Sequence, residues 1–192
     1  DRVGRFLRAF HDAMPDQVSG AGFIFWPFHV IRDYARTIAA GNSPFAPELE
    51  GFLALSRRLE AVQVPLPIVF GHHDLLPANF LDDGRKLWLI DYEYAGFGTA
   101  MFDLAGAASN AGMDGGETAA LLQAYLGHAP GPDFLRAFDA MQCASLLREA
   151  MWAMVSDLHL AAPGADYRAY ARENLDRLAA ALSDFTQKYG AP

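Results

Sequence analysis

Residues 71–96 read GHHDLLPANFLDDGRKLWLIDYEYAG and place an aspartate, Asp74, five positions before an asparagine, Asn79. A second aspartate, Asp91, follows an apolar run in the same stretch. The Asp-Asp-Gly sequence at residues 82–84 separates two apolar runs, and an Asp-Gly pair in this setting is a strong β-hairpin signal. We therefore expect Asn79 and Asp91 to lie on adjacent hairpin strands, close enough to share a metal ion.

These three residues have the layout of a phosphoryl-transfer site. The carboxylate of Asp74 can take the proton from an attacking hydroxyl, while Asn79 and Asp91 can hold Mg2+ against the phosphates of ATP. Because the transition state of phosphoryl transfer is loose, the position of the nucleophile matters more than the strength of the base. The sequence thus predicts a kinase-type site with Mg2+ as cofactor and ATP as co-substrate.

The composition is that of a folded protein with one substantial core. The chain has 192 residues, of which 52% are hydrophobic and 20% are charged, and this argues against general disorder. The formal net charge of −8 disfavours nucleic-acid binding, which needs a basic face, and suits a cationic substrate. No apolar run approaches the ~20 residues needed to span a bilayer. The single cysteine, Cys143, favours a reducing compartment, so we expect a cytoplasmic protein.

Apolar spacing outside the quoted stretch is mostly helical. The predicted helices cover about residues 3–14, 28–40, 47–64, 102–113, 115–126, 132–160 and 165–189. A short apolar strand is predicted at residues 68–70, and residues 16–27 have the character of a loop. The predicted fold is therefore mainly α with a small β-hairpin, in the α+β class.

The pattern His72-x-Asp74-(four residues)-Asn79, followed by Ile90-Asp91, resembles the catalytic and metal-binding loops of the protein-kinase-like superfamily. Within that superfamily the chain is most similar to the choline/ethanolamine kinase and aminoglycoside phosphotransferase branch. The second motif of that branch is an apolar strand followed by Asp, an aromatic residue and Glu. The resemblance covers about residues 66–175, through the segments LIDYEY (89–94), FDLA (102–105), LREAMW (147–152) and DYRAYA (166–171).

The resemblance implies roles for further residues beside the catalytic aspartate and the two metal ligands. His72 would brace the catalytic loop through hydrogen bonds, and a buried Asp103 would accept backbone N–H bonds from that loop. Glu93 would either touch the metal shell or orient Asp91. His73 stands where choline kinases usually carry asparagine.

We expect the helical part of the chain, residues 101–192, to recognise the substrate. Aromatic faces hold trimethylammonium groups, because the ring quadrupole attracts a cation. The aromatic residues at positions that match the substrate site of choline kinases are Tyr94, Trp152, Tyr167 and Tyr170. Glu149 stands where the family commonly carries a tryptophan, and this departure suits an amine that can donate hydrogen bonds. The alternative for each aromatic residue is ordinary core packing.

Three functional interpretations stand beside one another. The first is a kinase that phosphorylates a hydroxyl of choline or a related amino alcohol. The second keeps the chemistry but changes the acceptor to an aminoglycoside, thiamine or another hydroxylated small molecule. The third is a non-catalytic binding domain with kinase-like motifs. The neighbouring His72, His73 and Asp74 also suggest a transition-metal site, but no third nitrogen or sulfur ligand stands nearby in sequence.

The sequence lacks the elements with which kinases cover ATP. It contains no Gly-x-Gly-x-x-Gly or Walker motif, and its two lysines, Lys86 and Lys188, are not placed to pair with a helix glutamate. We therefore expect residues 1–192 to form one domain, the C-terminal lobe of a protein-kinase-like fold without its N-terminal lobe, with residues 66–100 as its catalytic and metal-binding part. The isolated chain is expected to be inactive, to expose an apolar docking surface and to be capable of forming a homodimer.

Overall fold

A computed structural model describes residues 1–160 and 163–192 of the chain. The helices are α1 (Arg2–Ala13), α2 (Pro27–Ala40), α3 (Leu49–Ala61), α4 (Ala100–Ala111), α5 (Gly115–Leu126), α6 (Pro132–His159) and α7 (Tyr167–Tyr189). The strands are β1 (Ile68–Gly71), β2 (Phe80–Asp82), β3 (Leu87–Leu89) and β4 (Gly96–Thr99). This confirms the predicted class, mainly α with a small amount of antiparallel β-structure.

The structure divides into two compact units. The first unit comprises Asp1–Trp26 and Val64–Phe138, and the second comprises Pro27–Gln63 and Asp139–Pro192. Residues 66–100, which carry the predicted catalytic loops, lie wholly in the first unit. The description of residues 1–192 as a single lobe stays a prediction.

Helices α1, α4 and α5 build the core of the first unit. Leu7, Phe10 and His11 recur at helical spacing along α1, and all three are buried. Gly4 is also buried, and a Cβ atom there would overlap the carbonyl oxygen of Leu121 in α5. The glycine therefore allows α1 and α5 to pack closely.

Two antiparallel pairs of strands flank the predicted catalytic loop. β1 pairs with β4 in the register Ile68↔Thr99 to Gly71↔Gly96. β2 pairs with β3, with Phe80 opposite Leu89. The second pair is the predicted hairpin. Its turn has Gly84 at φ +84°, a conformation that favours glycine.

The pairing of β4 with β1 was not predicted from the sequence, because glycines depress strand propensity. The two glycines of β4, Gly96 and Gly98, are required because the loop that precedes α2 lies close to the strand. A Cβ atom at Gly96 would lie 2.7 Å from the carbonyl oxygen of Phe23, and one at Gly98 would lie 2.7 Å from that of Phe25. The prediction of a single hairpin is therefore wrong in this respect: the chain forms a second two-stranded sheet.

Helices α2, α3 and α7 and most of α6 form the second unit. Its largest buried side chains include Phe28, Ile31, Ile38, Leu59, Met141 and Phe185. Asp139, near the start of α6, accepts hydrogen bonds of 3.0 Å from both Lys188 and Tyr189 at the end of α7. Asp157, near the end of α6, pairs with Arg168 in the first turn of α7 at 2.8 Å. These contacts make α6 and α7 antiparallel.

The predicted helix boundaries differ from the observed ones by a few residues. Pro47 lies in a 3-10 turn, Ala46–Glu48, and α3 begins at Leu49. α7 begins at Tyr167, while the predicted boundary between the last two helices includes residues 161–162, outside the described part. None of the helices in residues 1–160 and 163–192 is long and apolar enough to cross a membrane.

Candidate active site

A buried carboxylate anchors the start of the loop between β1 and β2, residues 72–79. Asp103, in the first turn of α4, accepts the backbone N–H of His72 at 2.8 Å through Oδ2 and that of His73 at 2.7 Å through Oδ1. Asp103 is 1% exposed, and hydrogen bonds to an ionised group are stronger than those between neutral groups. The hydrogen bonds that the resemblance implied for Asp103 are therefore present, while its part in catalysis stays a prediction.

Asp103 is ionised at neutral pH although it is buried. Burial by itself raises the pKa of this carboxyl, but the hydrogen bond from His11, the imidazoles of His73 and His11 and the backbone N–H of His72 together lower the pKa to about 2. An ionised carboxylate only accepts hydrogen bonds, so every group that contacts its oxygens must donate.

The ring of His72 connects the loop to the end of β3. The backbone N–H of Asp74 donates to Nδ1 of His72 at 3.3 Å, so the ring proton is on Nε2. Nε2 donates to the carbonyl of Ile90 at 2.9 Å, and Ile90 immediately precedes Asp91. His72 thus connects the loop to the residue before Asp91 through hydrogen bonds, while its supporting role in the reaction stays a prediction.

The side chain of Asn79 is fixed by Asp74. Its Nδ2 donates to the backbone carbonyl of Asp74 at 2.8 Å and to Oδ2 of the same residue at 3.2 Å. Because both bonds use the amide nitrogen, the amide oxygen is the atom with which Asn79 can bind a metal ion. The backbone carbonyl of Asn79 accepts the N–H of Ile90 at 3.1 Å. The hairpin ladder therefore continues to the residue next to Asp91.

Two residues of this region have left-handed backbone conformations. His73 has a φ of 65° and Asp91 a φ of 69°. Positive φ is uncommon for residues other than glycine, and such strain concentrates at functional sites. Asp91 and Glu93 are both exposed, so their carboxylates are accessible to a ligand. The supporting role of Glu93 stays a prediction.

The oxygen donors at the hairpin fit a magnesium ion better than a transition metal. Mg2+ is commonly held by one or two protein oxygens together with phosphates and water, and Asn79 and Asp91 can supply those oxygens. Within residues 1–160 and 163–192, no three His, Cys, Asp or Glu side chains are grouped to hold a metal ion. Both ring nitrogens of His72 are engaged in hydrogen bonds. His72 therefore has no free ring nitrogen to offer a zinc or iron ion.

His73 has a packing role. Its ring stacks on Phe25 with 4.2 Å between centroids, and Nδ1 donates to the carbonyl of Tyr94 at 3.1 Å. Gly71 and Gly98 leave the space that the ring occupies, since a Cβ atom at either would press on it. Burial lowers the pKa of His73, and among the described residues Nε2 has no hydrogen-bond partner.

Four of the predicted substrate-binding residues lie together on α6 and α7 in the second unit. The ring of Trp152 meets those of Tyr167 and Tyr170 edge-on, at centroid distances of 6.0 and 6.3 Å. The hydroxyl of Tyr170 donates to Oε1 of Glu149 at 3.0 Å. Tyr94, the fifth predicted residue, lies in the first unit. Contact of these residues with a substrate stays a prediction.

Glu149 is part of a partly buried ion pair. Nη1 of Arg148 lies 2.6 Å from its Oε2, and the two side chains are 5% and 19% exposed respectively. Burial, together with the adjacent Glu149, raises the pKa of Tyr170 to about 12, so the phenol is a donor at neutral pH. A carboxylate has about four acceptor sites, so Glu149 can still accept a hydrogen bond from an ammonium group.

Two polar residues next to the loop anchor were not predicted from the sequence. Nε2 of His11 lies 2.9 Å from Oδ2 of Asp103, and Nδ1 lies 2.9 Å from the hydroxyl of Tyr125. The available signal was the helical spacing of His11 with Leu7 and Phe10, which places a polar ring on a buried face. Such a group needs hydrogen-bond partners.

Comparison with known proteins identifies the family of the chain. The phosphotransferase enzyme family (APH) matches residues 1–138, and the chain belongs to this family. A structure of a choline/ethanolamine kinase family protein from Mesorhizobium loti superimposes with a TM-score of 0.82 at 25% identity, over 96% of this chain and 63% of that one. Choline kinase from Cryptosporidium parvum Iowa II has the same fold, with a TM-score of 0.72 at 13% identity, over 97% of this chain and 65% of that one.

A probable ethanolamine kinase from Arabidopsis thaliana is 48% identical over 40 residues, which are 20% of this chain and 11% of that protein. The predicted family and the kinase-like fold are thereby confirmed. The chain spans less than two thirds of the length of these relatives.

Proposed function

We propose that the full-length protein is a small-molecule kinase that transfers the γ-phosphoryl group of MgATP to a hydroxyl of choline, ethanolamine or a related amino alcohol. The observation that carries the proposal is the hydrogen-bonded set of Asp103, His72, Asp74 and Asn79. A carboxylate held next to an amide supports phosphoryl transfer, which uses these two groups to orient the nucleophile and to bind Mg2+. Membership of the phosphotransferase enzyme family supports the same reaction class.

Each residue has one task in this proposal. Asp74 orients the acceptor hydroxyl and takes its proton as the oxygen bonds to the γ-phosphorus and ADP leaves. Asn79 and Asp91 bind Mg2+, which when bound neutralises charge on the phosphate oxygens. His72 and Asp103 hold the loop so that Asp74 keeps its position.

The aromatic cluster of the second unit supports an amino alcohol as acceptor. Trp152, Tyr167 and Tyr170 supply aromatic rings that attract a cation, and Glu149 adds one carboxylate. Three aromatic rings next to Glu149 suit one small cation, whereas the many ammonium groups of an aminoglycoside call for several acidic partners. The primary amine of ethanolamine can in addition donate a hydrogen bond to Glu149.

The proposal assigns the ATP-covering loop and the lysine–glutamate pair to an N-terminal lobe. Exposed apolar side chains of the first unit support a docking surface for such a lobe: Phe23 is 61%, Ile24 73% and Ile68 64% exposed. We extend the proposal to a cytoplasmic location, consistent with the single buried Cys143, and to homodimer formation by the isolated chain through this apolar surface.

The test is phosphoryl transfer by the full-length protein with MgATP and four acceptors: ethanolamine, choline, thiamine and an aminoglycoside. We expect turnover with an amino alcohol and identification of its phosphate ester as the product. Turnover with thiamine or the aminoglycoside alone would overturn the acceptor assignment. Magnesium-dependent nucleotide binding without transfer to any acceptor would favour a binding domain instead.

A further inference from the structure

We infer that His11 is a positioning residue for the catalytic loop, acting on Asp74 through Asp103. The inference rests on the proposed function, since it concerns the residue that the proposal makes catalytic. His11 belongs to α1, more than sixty residues before the loop in sequence, and its two ring nitrogens face Asp103 and Tyr125. Its influence passes through one buried carboxylate.

The contacts form a continuous line from α5 to the loop. The hydroxyl of Tyr125 lies 2.9 Å from Nδ1 of His11, and Nε2 lies 2.9 Å from Oδ2 of Asp103. The same Oδ2 accepts the backbone N–H of His72, and Oδ1 accepts that of His73. Every member of this line belongs to the first unit.

The shared oxygen makes His11 more than a packing residue. Oδ2 of Asp103 has two donors, one from His11 and one from the loop at His72. Both His11 and Asp103 have side chains with no solvent exposure, so solvent does not reach the carboxylate in the folded protein. Removing the imidazole leaves a buried carboxylate with an incomplete set of hydrogen bonds, and such a group shifts toward the remaining donors or admits water.

Tyr125 fixes the orientation of the imidazole. Because the carboxylate of Asp103 can only accept, Nε2 of His11 carries a proton, and Nδ1 faces the Tyr125 hydroxyl. Burial raises the pKa of Tyr125 to about 12, so its hydroxyl remains protonated at neutral pH. The phenol therefore holds the ring in the plane from which Nε2 reaches Asp103, in the way outer partners orient functional histidines.

Four variants of the full-length protein test the inference: His11→Leu, His11→Gln, Tyr125→Phe and, as the matched control, Leu7→Ala. Leucine removes both ring nitrogens at similar volume, whereas glutamine keeps an N–H that can reach Asp103. Leu7 is fully buried on the same helix, so its truncation destabilises α1 without removing a hydrogen-bond donor to Asp103. The readouts are kcat, the KM for MgATP, the thermal midpoint and hydrogen exchange of the His72 and His73 amides.

We expect His11→Leu to lower kcat by about tenfold or more, as for a lost bond to a buried charge, with little change in the KM for MgATP. Its His72 and His73 amides should exchange faster. His11→Gln should restore most of kcat, and Tyr125→Phe should have a smaller effect than His11→Leu. Leu7→Ala should lower the thermal midpoint but leave kcat and the two amides unchanged.

Two results would overturn the inference. The first is a folded His11→Leu protein with unchanged kcat and unchanged exchange at His72 and His73. The second is an equal loss of kcat in Leu7→Ala, which would reduce the role of His11 to stability. If the protein transfers phosphate to no acceptor, the proposed function fails, but the exchange measurement still decides whether His11 holds the loop.

Discussion

Nε2 of His72 donates a hydrogen bond of 2.9 Å to the carbonyl oxygen of Ile90. His72 lies two positions before Asp74, and Ile90 lies one position before Asp91. The bond therefore joins the segment that carries the proposed base to the segment that carries a proposed metal ligand. The ring of His72 therefore fixes these two segments relative to each other. Its other nitrogen, Nδ1, accepts the N–H of Asp74.

The role of Asp91 predicts a change in magnesium dependence. Asp91→Asn replaces a carboxylate ligand with a neutral amide, so the Mg2+ concentration for half-maximal activity should rise about tenfold or more, the scale of a lost bond to a charged group. Magnesium titration of the full-length enzyme measures this. The control is Asp16→Asn, which removes an exposed carboxylate of the same unit outside the site. Equal magnesium requirements in both variants would contradict the assignment of Asp91.

The buried imidazole of His73 predicts a pH dependence of stability. Burial lowers its pKa in the folded protein, whereas an unfolded chain has a histidine pKa of about 6.5. Below about pH 6.5 the unfolded state binds a proton that the folded state does not, so the free energy of unfolding falls as the pH drops toward the lowered folded pKa. Above about pH 6.5 this contribution is fully present.

The variant His73→Asn tests this dependence, because asparagine does not titrate and tolerates the positive φ of this position. Loss of the stack on Phe25 should lower the overall stability, but the slope of the unfolding free energy against pH between about 5 and 6.5 should flatten. The matched control is His128→Asn at an exposed position, for which we expect the wild-type slope. An unchanged slope in His73→Asn would show that His73 does not control it.

The ion pair of Glu149 with Arg148 predicts a stability cost that acceptor experiments must take into account. Glu149→Gln replaces the carboxylate next to the guanidinium of Arg148, which is 5% exposed, with a neutral amide, and should lower the free energy of unfolding by about 1.5–3 kcal/mol. Tyr170→Phe removes only a hydroxyl from the same carboxylate and should cost about 1 kcal/mol. Urea denaturation compares the two. A Glu149→Gln cost no larger than that of Tyr170→Phe would show that the pair contributes little.

Close packing of α1 on α5 predicts opposite effects of two glycine substitutions. Gly4→Ala places a methyl group against the Leu121 carbonyl and should destabilise the protein by about 1–3 kcal/mol. Gly51→Ala, in an open helical position of α3, should stabilise it by about 0.5–1 kcal/mol. Thermal denaturation of both variants provides the comparison. A stabilising Gly4→Ala would contradict the observed α1–α5 packing.

Local patterns were sufficient to predict most of the fold. Helical spacing predicted the seven α-helices of residues 1–160 and 163–192, and the Asp83-Gly84 turn identified the β2–β3 hairpin, because both signals lie within a few residues. Strand β4 was not predicted from the sequence. Its glycines, Gly96 and Gly98, are required because the Phe23–Phe25 segment lies close to the strand, and strand propensity does not indicate them. That requirement exists only in the folded chain.

The candidate site likewise contains residues that the sequence predicted and residues that only the tertiary structure reveals. Asp74, Asn79 and Asp91 stand at diagnostic spacings within a single stretch, so the sequence predicted them together. His11 and Tyr125 come from separate helices, and only the tertiary structure brings them to Asp103. The pairing of Glu149 with Arg148 was also not predicted, because adjacent helical residues do not ordinarily face one another.

Transfer of the γ-phosphoryl group of MgATP to an amino alcohol by the full-length protein, compared between wild type and Asp74→Asn, tests the central claim most directly. The substitution keeps the size of the side chain but removes the carboxylate that takes the proton from the acceptor hydroxyl. We predict that the wild-type protein forms the phosphate ester and that Asp74→Asn is slower by about 10²–10⁴-fold, with magnesium-dependent nucleotide binding retained. Equal rates of ester formation by the two proteins would contradict the assignment of Asp74 and, with it, the proposed site.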